Sequence, residues 1–237
     1  MTSKSPSRLP NKKEINKAQA FYQILSTTYG IPEWREPLPA IDELVSTILS
    51  QNTNDVNRDR AYNNLRANFP TWESVMSAKP EEIIAAVRVA GLANQKGPRI
   101  QSVLNQIHSE QGELSLDFLR SMEKEQASRW LMNHKGVGPK TAAIVMQFSL
   151  GIPAFPVDTH VYRVSGRIGV RPQQMNVERT HSWMEQLFEP HQYGPGHLNI
   201  IRLGREICHS RKPECIICPL NHLCDFFLDL KKKETTN

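Results

Sequence analysis

The sequence of 237 residues lacks any apolar run approaching the roughly 18 residues that a membrane span requires. Its basic start, residues 1–13, is not followed by the apolar stretch of a secretory signal. Internal repeats and low-complexity tracts are absent, and so are the runs of alternating polar and apolar residues that indicate β-strands. We therefore expect a protein of the cytoplasm, built without a sheet.

Cysteine is scarce, and all four cysteines fall between Cys208 and Cys224. Their pattern is C-x6-C-x2-C-x5-C. In a reducing compartment such clustering indicates metal ligation rather than disulfide bonding. Structural zinc takes four cysteines, usually as two close pairs, and an iron–sulfur cluster also takes four. The spacing predicts one metal site and leaves both metals open.

Apolar residues recur at helical spacing in several segments, including 41–49 and 100–107. This periodicity predicts an all-α protein. Prolines break the chain just before residue 41 and just after residue 152. We predict one lobe from 41–152 and a second lobe from 15–40 with 153–230, flanked by disordered polar tails at 1–14 and 231–237.

The segment 134–140 combines two glycines with a lysine. Gly136 and Gly138 allow backbone N–H groups to approach a ligand such as a phosphate closely. Pro139 suits the first position of a helix, whose free N–H groups attract anions. The same groups disfavour a protonated amine, and a neutral Lys140 could attack a carbon centre. The alternative is a helix-turn-helix corner whose glycines serve only close packing.

Asp158 lies eighteen residues after Lys140 and directly before a helical pattern. Its position predicts a helix N-cap. A carboxylate near the lysine could also accept the ammonium proton and stabilise a cationic sugar transition state. The two roles are compatible.

Together these motifs resemble the endonuclease III family of base-excision DNA glycosylases. The resemblance runs from residue 41 to residue 224 and rests on the hairpin, the cysteine cluster and the segments 49–55, 91–96 and 157–160. It implies a two-lobed helix-hairpin-helix fold, in which a six-helix barrel lobe carries the hairpin and the other lobe carries an iron–sulfur cluster. His134 and Lys135 depart from the usual Leu-Pro, which alters hairpin packing or adds a phosphate contact.

The resemblance implies a chemistry as well. Lys140 would attack the sugar C1′ and form a Schiff base, assisted by Asp158. The enzyme would release damaged, oxidised pyrimidines from duplex DNA and then cleave the abasic site by β-elimination. The cofactor would be a [4Fe–4S] cluster on Cys208, Cys215, Cys218 and Cys224, with zinc as the alternative. A glycosylase for mismatched or alkylated bases and a non-catalytic, metal-stabilised DNA-binding module are the alternative functions.

Such an enzyme must rotate a nucleotide out of the duplex and fill the gap. Gln51, Asn52 and Leu92 are candidates to fill it; the plainer alternatives are helix-end capping for the two amides and core packing for the leucine. The family more commonly has glutamine where this chain has Asn52.

Contacts to DNA are also predicted for the hairpin, for the loop of the candidate aspartate and for the basic loop of the cysteine cluster: Lys135, Gly136, Val137, Gly138, His160, Arg211 and Lys212. For Arg211 and Lys212 the alternative is a basic loop that is only solvated. For His160 the alternative is packing or capping. The net charge of +5 suits a polyanionic partner. We expect a monomer, associated with the nucleoid of a prokaryotic cytoplasm.

Overall fold

The computed structural model describes residues 8–32 and 36–235, and all regular structure in those ranges is helical. The all-α prediction is therefore confirmed. Among the residues described, no helix has both the length and the apolar character of a membrane span. The α-helices are α1 (Lys12–Tyr29), α2 (Ala40–Ser50), α3 (Asp55–Asn68), α4 (Trp72–Ser77), α5 (Pro80–Ala86), α6 (Ala93–Gln111), α7 (Lys124–Met132), α8 (Pro139–Val145), α9 (Thr159–Ile168), α10 (Val177–Leu187), α11 (Tyr193–Glu206) and α12 (Asp225–Thr235).

The described chain divides into two compact units. The terminal unit comprises residues 8–32 and 153–235, and the central unit comprises residues 36–152. Residues 36–40 cluster with the central unit, whereas the predicted lobe starts at residue 41. The reason is local: Pro39 is the N-cap residue of α2, and its carbonyl accepts the N–H of Glu43 at 2.9 Å.

The core of the central unit surrounds α2, which is buried along nearly its whole length. This helix packs against α3, α6 and α8. Ile48 and Leu49 of α2 and Ile100 and Leu104 of α6 are fully buried there. Burying such side chains contributes about 1.5–3 kcal/mol each, which explains why the apolar spacing marked these helices correctly.

Helix α8 continues into a π-helical turn, Met146–Leu150, and ends at Gly151 in the left-handed region with φ of 68°. Arg120 donates to the carbonyls of Ser149 and Leu150 at 2.8 and 2.7 Å. These bonds satisfy carbonyls that a helix end leaves without partners. The predicted chain break just after residue 152 therefore follows an anchored helix terminus.

The terminal unit packs α1 against α10 and α11, and α9 against α11 and α12. Its core is rich in aromatic side chains. Phe155 and Phe188 lie with ring centroids 5.3 Å apart, and Phe21 meets Phe188 edge-on at 6.5 Å. The buried Trp183 donates from Nε1 to the Val170 carbonyl at 2.8 Å, which satisfies its one polar group.

Both chain ends are more helical than the sequence predicts. Helix α1 begins at Lys12, inside the predicted tail 1–14, because Asn11 and Glu14 form a capping box that satisfies two backbone N–H groups. Helix α12 extends to Thr235, inside the predicted tail 231–237. The remaining tail residues, 1–7 and 236–237, lie outside the described residues.

Candidate functional site

The hairpin of the central unit joins α7 to α8 through residues 133–138. Gly136 has a φ of 90°, and a Cβ there would lie 2.0 Å from Cδ of Arg99. Both the backbone angle and the neighbouring side chain therefore require glycine. Val137 is buried and its N–H donates to the His134 carbonyl at 3.0 Å, so this residue holds the turn from inside.

A chain of side-chain hydrogen bonds ties the hairpin to the end of α2. Arg99 donates from Nη1 to Oε1 of Gln51 at 2.8 Å. Gln51 in turn donates from Nε2 to the Gly136 carbonyl at 3.1 Å. Both ends of the Gln51 amide are therefore engaged within the central unit, and this side chain positions the hairpin. Sequence reasoning missed Arg99, which carries no motif of its own.

His134, which stands where the family usually has leucine, has a buried side chain that packs inside the central unit. Its ring is buried against Trp130, with centroids 4.5 Å apart. Nδ1 lies 3.1 Å from the Trp130 carbonyl and 3.2 Å from the Leu131 carbonyl, so the proton resides on Nδ1. Lys135, by contrast, is exposed. Of the two predicted consequences of this departure, the packing of a different side chain in the hairpin is seen at His134. A phosphate contact by the exposed Lys135 stays a prediction.

Lys140 is the second residue of α8, after Pro139 at the first position. Gly138 precedes the helix and contributes no capping side chain. The Lys140 side chain is partly exposed. The amine is thus partly open to solvent at the start of a helix, where a ligand can reach it.

Asp158 is the N-cap of α9, as its sequence position predicts. Its Oδ1 accepts the N–H of Val161 at 2.8 Å. This bond fixes the orientation of a partly buried carboxylate at the positive end of a helix. Only Oδ1 is used by the cap, which leaves Oδ2 to act on a ligand.

His160 lies two residues further along, in the first turn of α9. Burial lowers its pKa, and this effect outweighs the attraction of the nearby Asp158 carboxylate. The ring is therefore neutral at pH 7. Its Nδ1 accepts a hydrogen bond from Nη2 of Arg163 at 3.1 Å. This bond ties the His160 ring to Arg163 within α9. The predicted contact of His160 with DNA stays a prediction.

Arg163 connects the Asp158 loop with the cysteine cluster. Besides His160, its guanidinium donates to the carbonyl of Gly204 at 2.8 Å and to that of Cys208 at 3.0 Å. The first turn of α9 is thereby fixed to the end of α11 and to the first cysteine. Arginine suits this task because its planar fork bonds several acceptors at once.

Two exposed residues of the central unit adopt the left-handed conformation. Asn52 has a φ of 53° and Leu92 a φ of 51°. For leucine this conformation costs on the order of 1–2 kcal/mol, and such strain is concentrated at functional sites. The Leu92 residue is 48% exposed, so the core-packing alternative for it is wrong. Its carbonyl starts α6 by accepting the N–H groups of Gln95 and Lys96.

The four cysteines line one pocket in the terminal unit, together with apolar side chains such as Leu203 and Phe226. Burial, with a contribution from neighbouring cysteines, raises the pKa of Cys218 to about 11. It also raises the pKa of Cys215 and that of Cys224. Four grouped thiolates therefore need a compensating positive charge, which a metal centre supplies.

The thiol arrangement also bears on the kind of metal. Within the described part of the chain, no group of three or more His, Cys, Asp or Glu side chains is placed to hold a single metal ion. Zinc would need its four sulfurs at about 2.3 Å from one centre. In a multi-iron cluster the four thiolates bind different irons and stand further apart. The four cysteines that line the pocket are the ligand set of an iron–sulfur cluster and also that of a structural zinc ion.

Arg167 holds the basic loop of the cluster. It donates to the sulfur of Cys208 at 3.4 Å and to the carbonyls of His209 and Ser210 at 2.6 and 2.9 Å. The predicted DNA contacts Arg211 and Lys212 follow directly and are both exposed. Sequence reasoning missed Arg167, whose partners are mostly backbone carbonyls.

The helical fold, the glycine hairpin before Lys140 and the four-cysteine pocket agree with the helix-hairpin-helix architecture that the sequence resemblance implies. The family model described as "HhH-GPD superfamily base excision DNA repair protein" matches residues 45–190, more than half of the chain. The chain belongs to this family.

Individual relatives agree with that assignment. Endonuclease III of Thermotoga maritima is 32% identical over 194 residues, which cover 82% of this chain and 86% of that protein. A relative from Arabidopsis thaliana, named as a DNA glycosylase, is 40% identical over 141 residues, 60% of this chain, and this match spans about half of its own length, 48%. A solved structure of a non-covalent endonuclease III–DNA complex is similar with a TM-score of 0.77 at 25% identity, covering 91% of this chain and 98% of that one.

Proposed function

We propose that this chain is a base-excision repair DNA glycosylase with abasic-site lyase activity, which removes oxidised pyrimidines from duplex DNA. The observation that carries the proposal is Lys140, a partly exposed amine at an uncapped helix start in the hairpin of an endonuclease III homologue. A protein that only binds DNA has no use for a nucleophile there.

In the proposed reaction, the Lys140 amine attacks C1′ of the deoxyribose, and the bond from C1′ to the base breaks with its electron pair leaving on the base. The amine proton passes to a carboxylate, for which Asp158 is suited. The same carboxylate stabilises the positive charge that develops on the sugar. The nitrogen lone pair then expels O4′, which takes up a proton, and this opening of the sugar ring gives a protonated Schiff base at C1′. The Schiff base acidifies the C2′ proton, and loss of that proton expels the 3′ phosphate by β-elimination.

Contacts with DNA are proposed for the two units separately. In the central unit, Lys135 and the backbone of Gly136 and Gly138 would contact phosphate. In the terminal unit, the exposed Arg211 and Lys212 would do the same. Phosphate contacts give binding that tolerates different sequences and weakens with salt, which suits a search for rare lesions.

A [4Fe–4S] cluster is the proposed cofactor of the cysteine pocket. Cys208, Cys215, Cys218 and Cys224 would each bind one iron. When bound, the cluster supplies structural stability and positive charge to the thiolates. The chain itself already fastens the adjoining loop through Arg167, so that Arg211 and Lys212 are presented on a fixed backbone.

Trapping with borohydride tests the proposed function. We expect the wild-type protein to form a covalent adduct with abasic-site DNA, because the reagent reduces a Schiff base to a stable amine. Lys140→Met should lose the adduct and lower strand cleavage by at least about a thousandfold. The matched control is Lys79→Met, an exposed lysine of the same unit with no proposed contact to DNA, which should retain the adduct.

Two outcomes would contradict the proposal. Binding of abasic DNA without adduct or cleavage would support the non-catalytic DNA-binding module. For the substrate, duplexes with an oxidised pyrimidine, a uracil mismatch and 8-oxoguanine should be compared under single-turnover conditions. Release of uracil or 8-oxoguanine that is faster than release of the oxidised pyrimidine would overturn the assignment of oxidised pyrimidines.

A further inference from the structure

Lys96 is a buried cation that the proposed chemistry does not use. It lies in the first turn of α6 and is only 1% exposed. Among the described residues no carboxylate pairs with it. Burial lowers its pKa, and the nearby Arg99 lowers it further. Burying a lysine is costly, and a leucine or methionine would fill this volume more easily, so the amine itself must serve a purpose.

The amine binds two backbone carbonyls from distant parts of the chain. Nζ donates to the carbonyl of Leu49 at 2.8 Å and to that of Ala90 at 2.8 Å. Leu49 lies near the end of α2, whereas Ala90 ends the short 3₁₀ segment Arg88–Ala90 before α6. Because one nitrogen binds both oxygens, these two segments are held within a few ångström of each other.

Each of these segments leads into one of the two strained, exposed residues of the central unit. Asn52 follows Leu49 by three residues, and Leu92 follows Ala90 by two. Both have left-handed backbones and side chains that reach solvent. Such conformations persist only where surrounding contacts hold them. The Lys96 amine supplies such contacts to both segments at once.

We propose that Lys96 is a positioning residue that holds Asn52 and Leu92 at a fixed separation, so that both side chains enter the duplex together when the damaged nucleotide rotates out. This inference rests on the proposed function. Rotating the nucleotide out costs stacking and pairing energy in a duplex, and far less in a single strand. The role of Lys96 therefore concerns duplex DNA.

Comparing strand cleavage at an abasic site in duplex and in single-stranded DNA tests this role. For Lys96→Met we expect the duplex rate to fall about 10- to 100-fold, the scale of loss that follows from misplaced contacts. The single-strand rate, which requires Lys140 but no gap filling, should stay within about twofold of wild type. The control is Ile100→Val, fully buried in the same helix, which should leave the ratio of the two rates unchanged.

The outcomes separate the two proposals. Wild-type protein that cleaves neither DNA contradicts the proposed function. If Lys96→Met lowers the cleavage rates on duplex and single-stranded DNA equally, Lys96 serves only folding. If it changes neither rate, cleavage of duplex DNA does not need Lys96. Either result overturns the positioning role.

A second measurement does not depend on whether Lys96→Met folds. If Asn52 and Leu92 act as one rigid pair, the losses of Asn52→Ala and Leu92→Ala on duplex DNA should be coupled, and the double variant should lose little more than the poorer single variant. Losses that simply multiply would contradict the proposal.

Discussion

At the scale of single residues, the left-handed glycine of the hairpin, Gly136, is tightly constrained. Gly136→Ala would place a methyl group 2.0 Å from Cδ of Arg99 and displace that side chain from Gln51. We expect the free energy of unfolding to fall by about 2–3 kcal/mol, from the backbone strain together with the lost hydrogen bond. Chemical denaturation of the purified variant measures it.

Gly112→Ala is the matched control for this prediction. Gly112 ends α6 with a φ of 78°, yet a Cβ there would meet nothing within 4 Å. This variant should therefore lose only the backbone contribution, about 1–2 kcal/mol. Equal losses for the two variants would show that the Arg99 and Gln51 side chains contribute nothing to holding the hairpin.

At the scale of elements, the close approach of α9 and α11 depends on a glycine. A Cβ on Gly204 would lie 2.8 Å from Nδ1 of His160 and 3.2 Å from Nη2 of Arg163. Gly204→Ala should force the two helices apart and lower the free energy of unfolding by about 1–3 kcal/mol. Thermal or denaturant unfolding checks this loss.

The control lies in the same helix. A Cβ on Gly196 would meet Tyr22 and Phe155 at ordinary contact distances of 3.6 and 3.7 Å. Gly196→Ala should therefore be neutral or stabilise the protein by up to about 1 kcal/mol, since alanine favours helices over glycine. A rise in the free energy of unfolding of Gly204→Ala would contradict the close contact between α9 and α11.

At the scale of the whole molecule, the metal content follows from the cysteine pocket. We expect the purified protein to be brown, with about four irons per chain and almost no zinc. Cys218→Ser should lose most of the iron and lower the melting temperature, because a protein-bound metal stabilises the folded state. Ser210→Ala, in the loop between the first two cysteines, should keep the iron. Colourless protein with one zinc per chain would contradict the cluster.

Much of the fold and of the site could be predicted from local patterns. Apolar periodicity marked α2 and α6, and the position of Asp158 marked an N-cap, because a helix and its cap are built from neighbouring residues. The ends of the chain were predicted less well. The capping box of Asn11 and Glu14 extends α1 into a polar segment whose composition indicated a tail.

The sequence by itself determined the helical architecture, the hairpin with Lys140 and the grouping of the cysteines, since each depends on residue type at short spacing. Only the tertiary structure decided the roles of Lys96, Arg99, Arg163 and Arg167. Lys96, Arg163 and Arg167 bind backbone carbonyls, and Arg99 reaches the hairpin through Gln51. Every residue carries a carbonyl, so no pattern of side chains can mark which one a distant cation will reach.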